Sequence, residues 1–196
     1  MNPHVPNILT VFRIVLIPFF IYLLFWGGGS SYPWALAIFL TAGATDIVDG
    51  YLARRMKVET TLGKMLDPIA DKLLVLSALI SFVTMGLVHA WMVALIILRD
   101  VFVTIIRFSL ERSSMPMMTS GVAKGKTAVQ VAIVVIILGY LSLRSYQVFW
   151  LTDLIERSHL ILVFMSITVL FTVYTGFDYF YENRAALRAL SKPNSE

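Results

Sequence analysis

The chain has 196 residues, of which 58% are hydrophobic and 14% charged. Soluble domains carry about 25% charged and about 45–50% apolar residues, so both departures argue against a soluble globular domain and against disorder. The net charge is +4, yet the basic residues are too few and too interrupted by apolar runs to track a nucleic-acid backbone. Cysteine is absent, which removes disulfides, thiol nucleophiles and thiolate-bound metals. The composition that remains is that of an all-α integral membrane protein.

A membrane-crossing helix needs about 20 mostly apolar residues. Six segments come close: about Ile8 to Trp26, Tyr32 to Tyr51, Leu66 to Val88, Trp91 to Leu110, Thr127 to Leu143 and His159 to Tyr179. Their apolar residues surround each helix rather than forming one stripe, and helices satisfy their own backbone polar groups in lipid. The short alternating segments of a β-barrel are not seen. The first segment reads as a retained span: it is too long for a signal peptide, lacks a small-residue cleavage site and is preceded by little positive charge. Gly27-Gly28-Gly29-Ser30-Ser31 is predicted to be a tight turn; it lacks the lysine and strand–helix context of a phosphate-cradling loop. No internal repeat, low-complexity tract or boundary interrupts residues 1–196, which are read as a single domain.

Orientation follows the positions of Lys and Arg. One side collects Arg13, Arg54, Arg55, Lys57, Lys64, Lys72, Arg107, Arg112, Lys124, Lys126, Arg184, Arg188 and Lys192, whereas the other holds Arg144 and Arg157, partly offset by Asp153 and Glu156. The first side is therefore expected to be cytoplasmic, with both termini on it and six transmembrane helices between them.

Several of the 12 acids sit where acids are expensive. Asp46 and Asp49 fall in the last turns of the second span, Asp67 and Asp71 in the first turns of the third. Residues three or four apart share a helix face, so each pair projects together, and a short hairpin can bring all four carboxylates to the cytoplasmic membrane edge. Such a cluster repels itself and resists desolvation. Hard divalent cations would compensate it, since Mg²⁺ commonly takes a few carboxylates plus substrate phosphates; pairing with Arg54, Arg55, Lys64 and Lys72 is the structural alternative. Gly50 and Gly63 allow close approach of a ligand or of another helix, and Ala53 fits either. Pro68 starts the third span or kinks it.

Read as one string, Asp46-x-x-Asp49-Gly50-x-x-Ala53-Arg54, eight residues, then Gly63-x3-Asp67-x3-Asp71 resembles the signature of the CDP-alcohol phosphotransferase family at every defining position. The resemblance implies two divalent cations, Mg²⁺ or Mn²⁺, held by Asp46, Asp49, Asp67 and Asp71 against the pyrophosphate of a CDP-linked lipid, CDP-diacylglycerol. Asp71 matches the acid that also serves as catalytic general base. Asp49, Gly50, Ala53, Arg54 and Gly63 match positions that approach the cytidine nucleotide. The incoming alcohol attacks the lipid-linked phosphorus and CMP leaves. Arg54 can contact phosphate in a bidentate manner or stack on a base.

The rest of the chain narrows the acceptor. The family uses glycerol 3-phosphate, inositol phosphate, serine, choline or ethanolamine, and a phosphorylated acceptor needs its own anion site. Arg107, Arg112, Lys124 and Lys126, with Ser120 and Thr127 hydroxyls, offer one, although the same charges serve as positive-inside anchors. Pro6-Asn7-Ile8-Leu9-Thr10-Val11-Phe12-Arg13 resembles the opening of the bacterial branch that makes phosphatidylglycerophosphate; Asn7 and Thr10 join the expected CDP-binding set on that basis. Ala123-Lys124-Gly125-Lys126-Thr127-Ala128-Val129-Gln130 resembles its G-K-x-K-T-x-x-Q stretch with Ala for the usual Gly, and Arg99-Asp100 with Arg107 resembles its R-[DE] element. The implied acceptor is glycerol 3-phosphate, the implied assembly a homodimer, and the implied location the cytoplasmic membrane of a bacterium with the site facing the cytoplasm.

Arg99 and Asp100 fall well inside the fourth span, where charge is costly. Adjacent helix positions do not face each other, so each is expected to pair with another helix. Asp178 and Tyr179 are placed at the rim, and His4, His89 and His159 show no ligand pattern. A small transporter is the competing class; transporters favour midplane sites and repeats, whereas these acids lie at one edge.

Overall fold

The computed structural model describes residues 5–56, 61–112 and 121–190, with the side chains of 12–45, 72–110, 112, 125 and 127–188. Seven α-helices follow in order: α1 Val5–Phe25, α2 Tyr32–Met56, α3 Thr61–Thr84, α4 Ala90–Arg112, α5 Gly121–Ser145, α6 Phe149–Arg157 and α7 Leu160–Leu190, with a 3-10 turn at Gly29–Ser31. No strand occurs among the described residues.

Each of the six apolar segments contains a long helix, but several helices outrun them. α2 continues beyond Tyr51 to Met56, α3 begins at Thr61 rather than near Leu66, and α7 runs on from Tyr179 to Leu190. Charge ends an apolar run without ending a helix, because Arg, Lys and Glu are good helix formers and each added residue gains a backbone hydrogen bond. Pro68 is accordingly interior to α3, not at its start. α6 was not anticipated; at nine residues it is far too short to cross a bilayer.

The chain folds as two compact units. The first comprises Met1–Leu87 and Val134–Ile161. In it α1 packs against α2 and α3. Ala35, Ala42 and Ala78 are fully buried, and such small side chains let helices approach closely. Phe20 of α1 is also fully buried, its ring 6.0 Å from that of Phe39 on α2. The glycine-rich turn between α1 and α2 is closed by Ser31, whose Oγ donates to the Leu23 carbonyl at 2.5 Å and the Gly28 carbonyl at 2.6 Å. α3 stops at Gly86, whose φ of +73° lets the Leu87 N–H reach back 2.9 Å to the Phe82 carbonyl; this is the αL helix stop that glycine favours. α6 is tied to α5 by Glu156, which accepts from the Tyr140 hydroxyl and lies 3.5 Å from Arg144 Nη1. Of the two acids expected to offset the charge on this side, Glu156 is the one placed against Arg144.

The second unit comprises Val88–Ile133 and Leu162–Glu196. Val103, Ile106 and Leu110 of α4 surround buried Tyr179 of α7, with Ala186 and Leu187 against them. α7 is inside out by the standard of a soluble helix. Thr168, Thr172, Thr175, Tyr179 and Asn183, spaced three or four apart, are all buried, while Phe164, Ile167, Leu170, Tyr174, Phe177 and Tyr181 are exposed. Two of the buried hydroxyls donate within the helix, Thr168 to the Phe164 carbonyl at 2.9 Å and Thr175 to that of Thr172 at 2.8 Å. A polar inner face and an apolar outer face suit a helix whose solvent is hydrocarbon. Two stretches, Thr127–Ser145 and Leu160–Arg188, are long and apolar enough to cross a membrane on composition alone. An all-helical chain with these faces is consistent with a membrane protein.

Candidate active site

Asp46, Asp49, Gly50, Ala53 and Arg54 lie on α2, and Gly63, Asp67 and Asp71 on α3. Both helices belong to the first unit. At 1.5 Å and 100° per residue, Asp46 and Asp49 stand about 4.5 Å apart along the axis and about 60° apart around it, and Asp67 and Asp71 about 6 Å and about 40°. Each pair therefore occupies one helix face. The acids are not at the helix tips, as the apolar runs implied: α2 continues about two turns beyond Asp49, and α3 begins nearly two turns before Asp67. The side chains of all eight signature residues, and of Asn7 and Thr10 on α1, lie outside the described residues. Among the described residues no group of three or more acidic or histidine side chains is placed to hold a metal. The donors that the signature does place on α2 and α3 are all carboxylates, the hard-oxygen set that suits Mg²⁺ or Mn²⁺.

Arg13 is the buried charge that sequence reasoning undervalued. It was counted as one more cytoplasmic cation, yet it is fully buried on α1, one turn after Thr10, in the same unit as the four acids. It takes part in an interaction there. A guanidinium in an apolar interior requires compensation.

The expected acceptor residues fall on α4 and α5 of the second unit. Arg107 and Arg112 are both exposed, but five residues apart they lie about 140° from each other around α4 and do not share a face. Thr127 is exposed on α5, and the side chains of Lys124 and Lys126 lie outside the described residues, as does Ser120. On helical geometry Lys124 shares a face with Thr127, and Lys126 one with Gln130.

Arg99 and Asp100 depart from expectation. Arg99 Nη1 does reach its neighbour, 3.4 Å from Asp100 Oδ1, while Nη2 donates to Thr175 Oγ1 on α7 at 3.0 Å. Both side chains are only 10% exposed. The long guanidinium arm bends back to its neighbour and still bridges to the next helix, a reach that Cβ geometry alone does not convey. Gly176 makes room for it, since a Cβ there would stand 2.8 Å from Arg99 Cγ. Gly176→Ala is expected to displace that arm and lower stability by about 1–3 kcal/mol, the usual range for overpacking; a thermal melt in detergent unchanged from wild type would contradict it. Asp178 keeps a buried Oδ2 without a hydrogen-bond partner.

The match to known proteins decides the family. The family model for CDP-alcohol phosphatidyltransferase covers residues 3–175. This chain belongs to the CDP-alcohol phosphatidyltransferase family. A relative from Bacillus subtilis, named CDP-diacylglycerol–glycerol-3-phosphate 3-phosphatidyltransferase, is 36% identical over 94% of this chain and 97% of its own length. One from Rickettsia bellii with the same name is 32% identical over 92% of this chain and 95% of its own. One from Mycobacterium tuberculosis, named probable phosphatidylglycerophosphate synthase, is 38% identical over 90% and 79%. The CDP-alcohol phosphatidyltransferase match takes in helices of both compact units.

Proposed function

We propose that this chain transfers the phosphatidyl group of CDP-diacylglycerol to glycerol 3-phosphate, giving phosphatidylglycerophosphate and CMP, as one catalytic domain. The complete eight-position acidic signature on two consecutive helices of one unit carries this reading. The names of relatives aligned over nearly the whole chain support the choice of acceptor.

The chemistry follows from the residues. Asp46, Asp49, Asp67 and Asp71 hold the divalent cations, and buried Arg13 balances the surplus of negative charge on that unit. When bound, the cations neutralise the pyrophosphate and the charge that develops on CMP. Asp49, Gly50, Ala53, Arg54 and Gly63, with Asn7 and Thr10, bind the CDP moiety; glycine and alanine leave room for the nucleotide beside α2 and α3. Arg107, Arg112, Lys124, Lys126 and Thr127 attract and hold the phosphate monoester of the acceptor. Asp71 accepts the proton of the attacking hydroxyl as its oxygen bonds to the lipid-linked phosphorus. The bond from that phosphorus to the bridging oxygen breaks, and CMP carries away the electron pair.

The six long helices cross the cytoplasmic membrane of a bacterium, with both termini and the active site on the cytoplasmic face. The one-sided Lys and Arg support this orientation. Trp26, Trp34 and Trp150 of the first unit, each about 70% exposed (71%, 69% and 73%) beside the α1–α2 turn or on α6, suit an aromatic belt at a membrane interface. The exposed Phe149, Trp150 and Leu154 of α6 suit a helix lying in the opposite interface. Assembly as a homodimer belongs to the same reading, and mass measurement in detergent tests it. Purified protein given CDP-diacylglycerol, labelled glycerol 3-phosphate and Mg²⁺ is expected to form a labelled lipid and release CMP. Chelation should reduce both to background, and added Mg²⁺ or Mn²⁺ should restore them. Label that stays in the aqueous phase, or product that persists in chelator, would defeat the proposal.

A further inference from the structure

The first unit carries a cavity of about 290 Å³ at the end opposite the signature. Three connections meet around it. Gly29 and Tyr32 come from the α1–α2 turn and the start of α2, Met85 and Leu87 from the link between α3 and α4, and Leu141, Arg144 and Ser145 from the end of α5. Asp46 and Asp49 lie about 20–25 Å along α2 from Tyr32, so the cavity is no part of the proposed transfer site. Met85, Leu87 and Leu141 give it apolar walls, and Arg144 and Ser145 add a cation and a hydroxyl. The Arg144 arm is held without being used up. Its Nη1 donates to the Tyr140 hydroxyl at 3.3 Å and lies 3.5 Å from Glu156 Oε1, while the side chain stays 59% exposed. Both contacts take one corner of the guanidinium. Its five N–H donors form a rigid fork, and the edge made by Nε and Nη2 is left for an acceptor from outside the chain.

Surroundings narrow the partner's chemistry. Trp26 and Trp34 stand exposed on either side of the α1–α2 turn, and Phe149, Trp150 and Leu154 are exposed on α6, which Glu156 ties to Arg144. Such residues gather where one end of a side chain meets hydrocarbon and the other meets water. At that level a lipid phosphate sits directly above the first carbons of its tails, and a guanidinium beside apolar walls matches that order of groups. Arginine also suits phosphate in a bidentate manner. Pockets that enclose whole drug-sized ligands hold about 300–1,000 Å³, so this one has room for a phosphate and its glycerol but not for two tails. We infer that the cavity binds the phosphodiester of a membrane glycerophospholipid, Nε and Nη2 of Arg144 donating to the phosphate oxygens and the tails starting against Met85, Leu87 and Leu141. The bound lipid fastens three connections of the unit to one another. The inference goes beyond the transfer reaction and does not rest on it.

The test titrates the full chain, purified in detergent, with dioleoyl phosphatidylethanolamine and reads the first bound lipid by native mass spectrometry. This lipid has no net charge, which removes general attraction to a chain of charge +4. Arg144→Gln is expected to weaken that first binding event by about tenfold or more, the scale of a charge-assisted hydrogen bond. Dioleoylglycerol, with the same tails and no phosphate, should bind wild type as weakly as the phospholipid binds the variant. Inorganic phosphate in large excess should leave the lipid in place. Met85→Trp, which fills the cavity and keeps the Arg144–Glu156 pair, should weaken binding similarly and decides the matter if Arg144→Gln does not fold. Equal affinity in wild type and the folded variants overturns the inference, as does dioleoylglycerol that binds as tightly as the phospholipid. Displacement by inorganic phosphate overturns the lipid as occupant. None of these results bears on CMP release, which is measured separately.

Discussion

Asp71→Asn is expected to lower kcat for CMP release by about a thousandfold or more, equivalent to about 4 kcal/mol of lost transition-state stabilisation. A positioned base contributes about 10²–10⁴, and Asp71 is also proposed to hold metal. The change is isosteric, so the packing of α3 around Leu74, Ala78 and Leu79, all buried, should survive it. Like charges destabilise one another, so neutralising one of four acids should leave the metal-free protein as stable as wild type or more so. The order should reverse with metal: wild type gains stability by binding Mg²⁺, and the variant gains less. Paired melts with and without Mg²⁺, alongside turnover, therefore separate lost chemistry from lost structure. Retention of more than a tenth of wild-type kcat would remove Asp71 from the role of base.

Arg13→Met is expected to produce the largest effect outside the signature. Methionine fills much of the same volume but removes a charge that is fully buried on α1. Taking away one member of a compensated buried charge set typically costs about 3–5 kcal/mol, because the remaining charge stays desolvated and unbalanced. For a chain of this size that corresponds to a fall in Tm of about 6–20 °C, accompanied by loss of CMP release. Arg13→Lys keeps the charge but not the planar fork and should fall between the two. An Arg13→Met protein that melts within about 2 °C of wild type and keeps its activity would show that this guanidinium balances nothing of importance.

The long helices were legible because each rests on about 20 apolar residues, a signal that needs no partner to be read. α6 escaped because a nine-residue amphipathic segment falls below that length, and the last part of α7 escaped because Glu182, Arg184 and Arg188 end the apolar run without ending the helix. The acidic signature was legible for a similar reason. Its spacing is local, and three- and four-residue steps place each acid pair on one face of any helix.

Arg99 was only half legible: its cost inside a span could be read, but not its bridge to Thr175, 76 residues away. Gln130 was visible as a motif position, and nothing in the motif marks its amide as buried and unmet.

The sequence by itself determined an all-helical, membrane-type chain and the placing of eight signature residues on two successive helices, since composition and near-neighbour spacing suffice for both. Only the tertiary structure decided that Arg13 is enclosed, that Gly176 yields to Arg99, that α7 turns its threonines inward and that Gln130 is shut away from solvent. These helices are apolar nearly all round, so periodicity does not say which face meets a neighbour. That choice is made only when the helices pack, and it settles which polar groups are hidden and what they must find there.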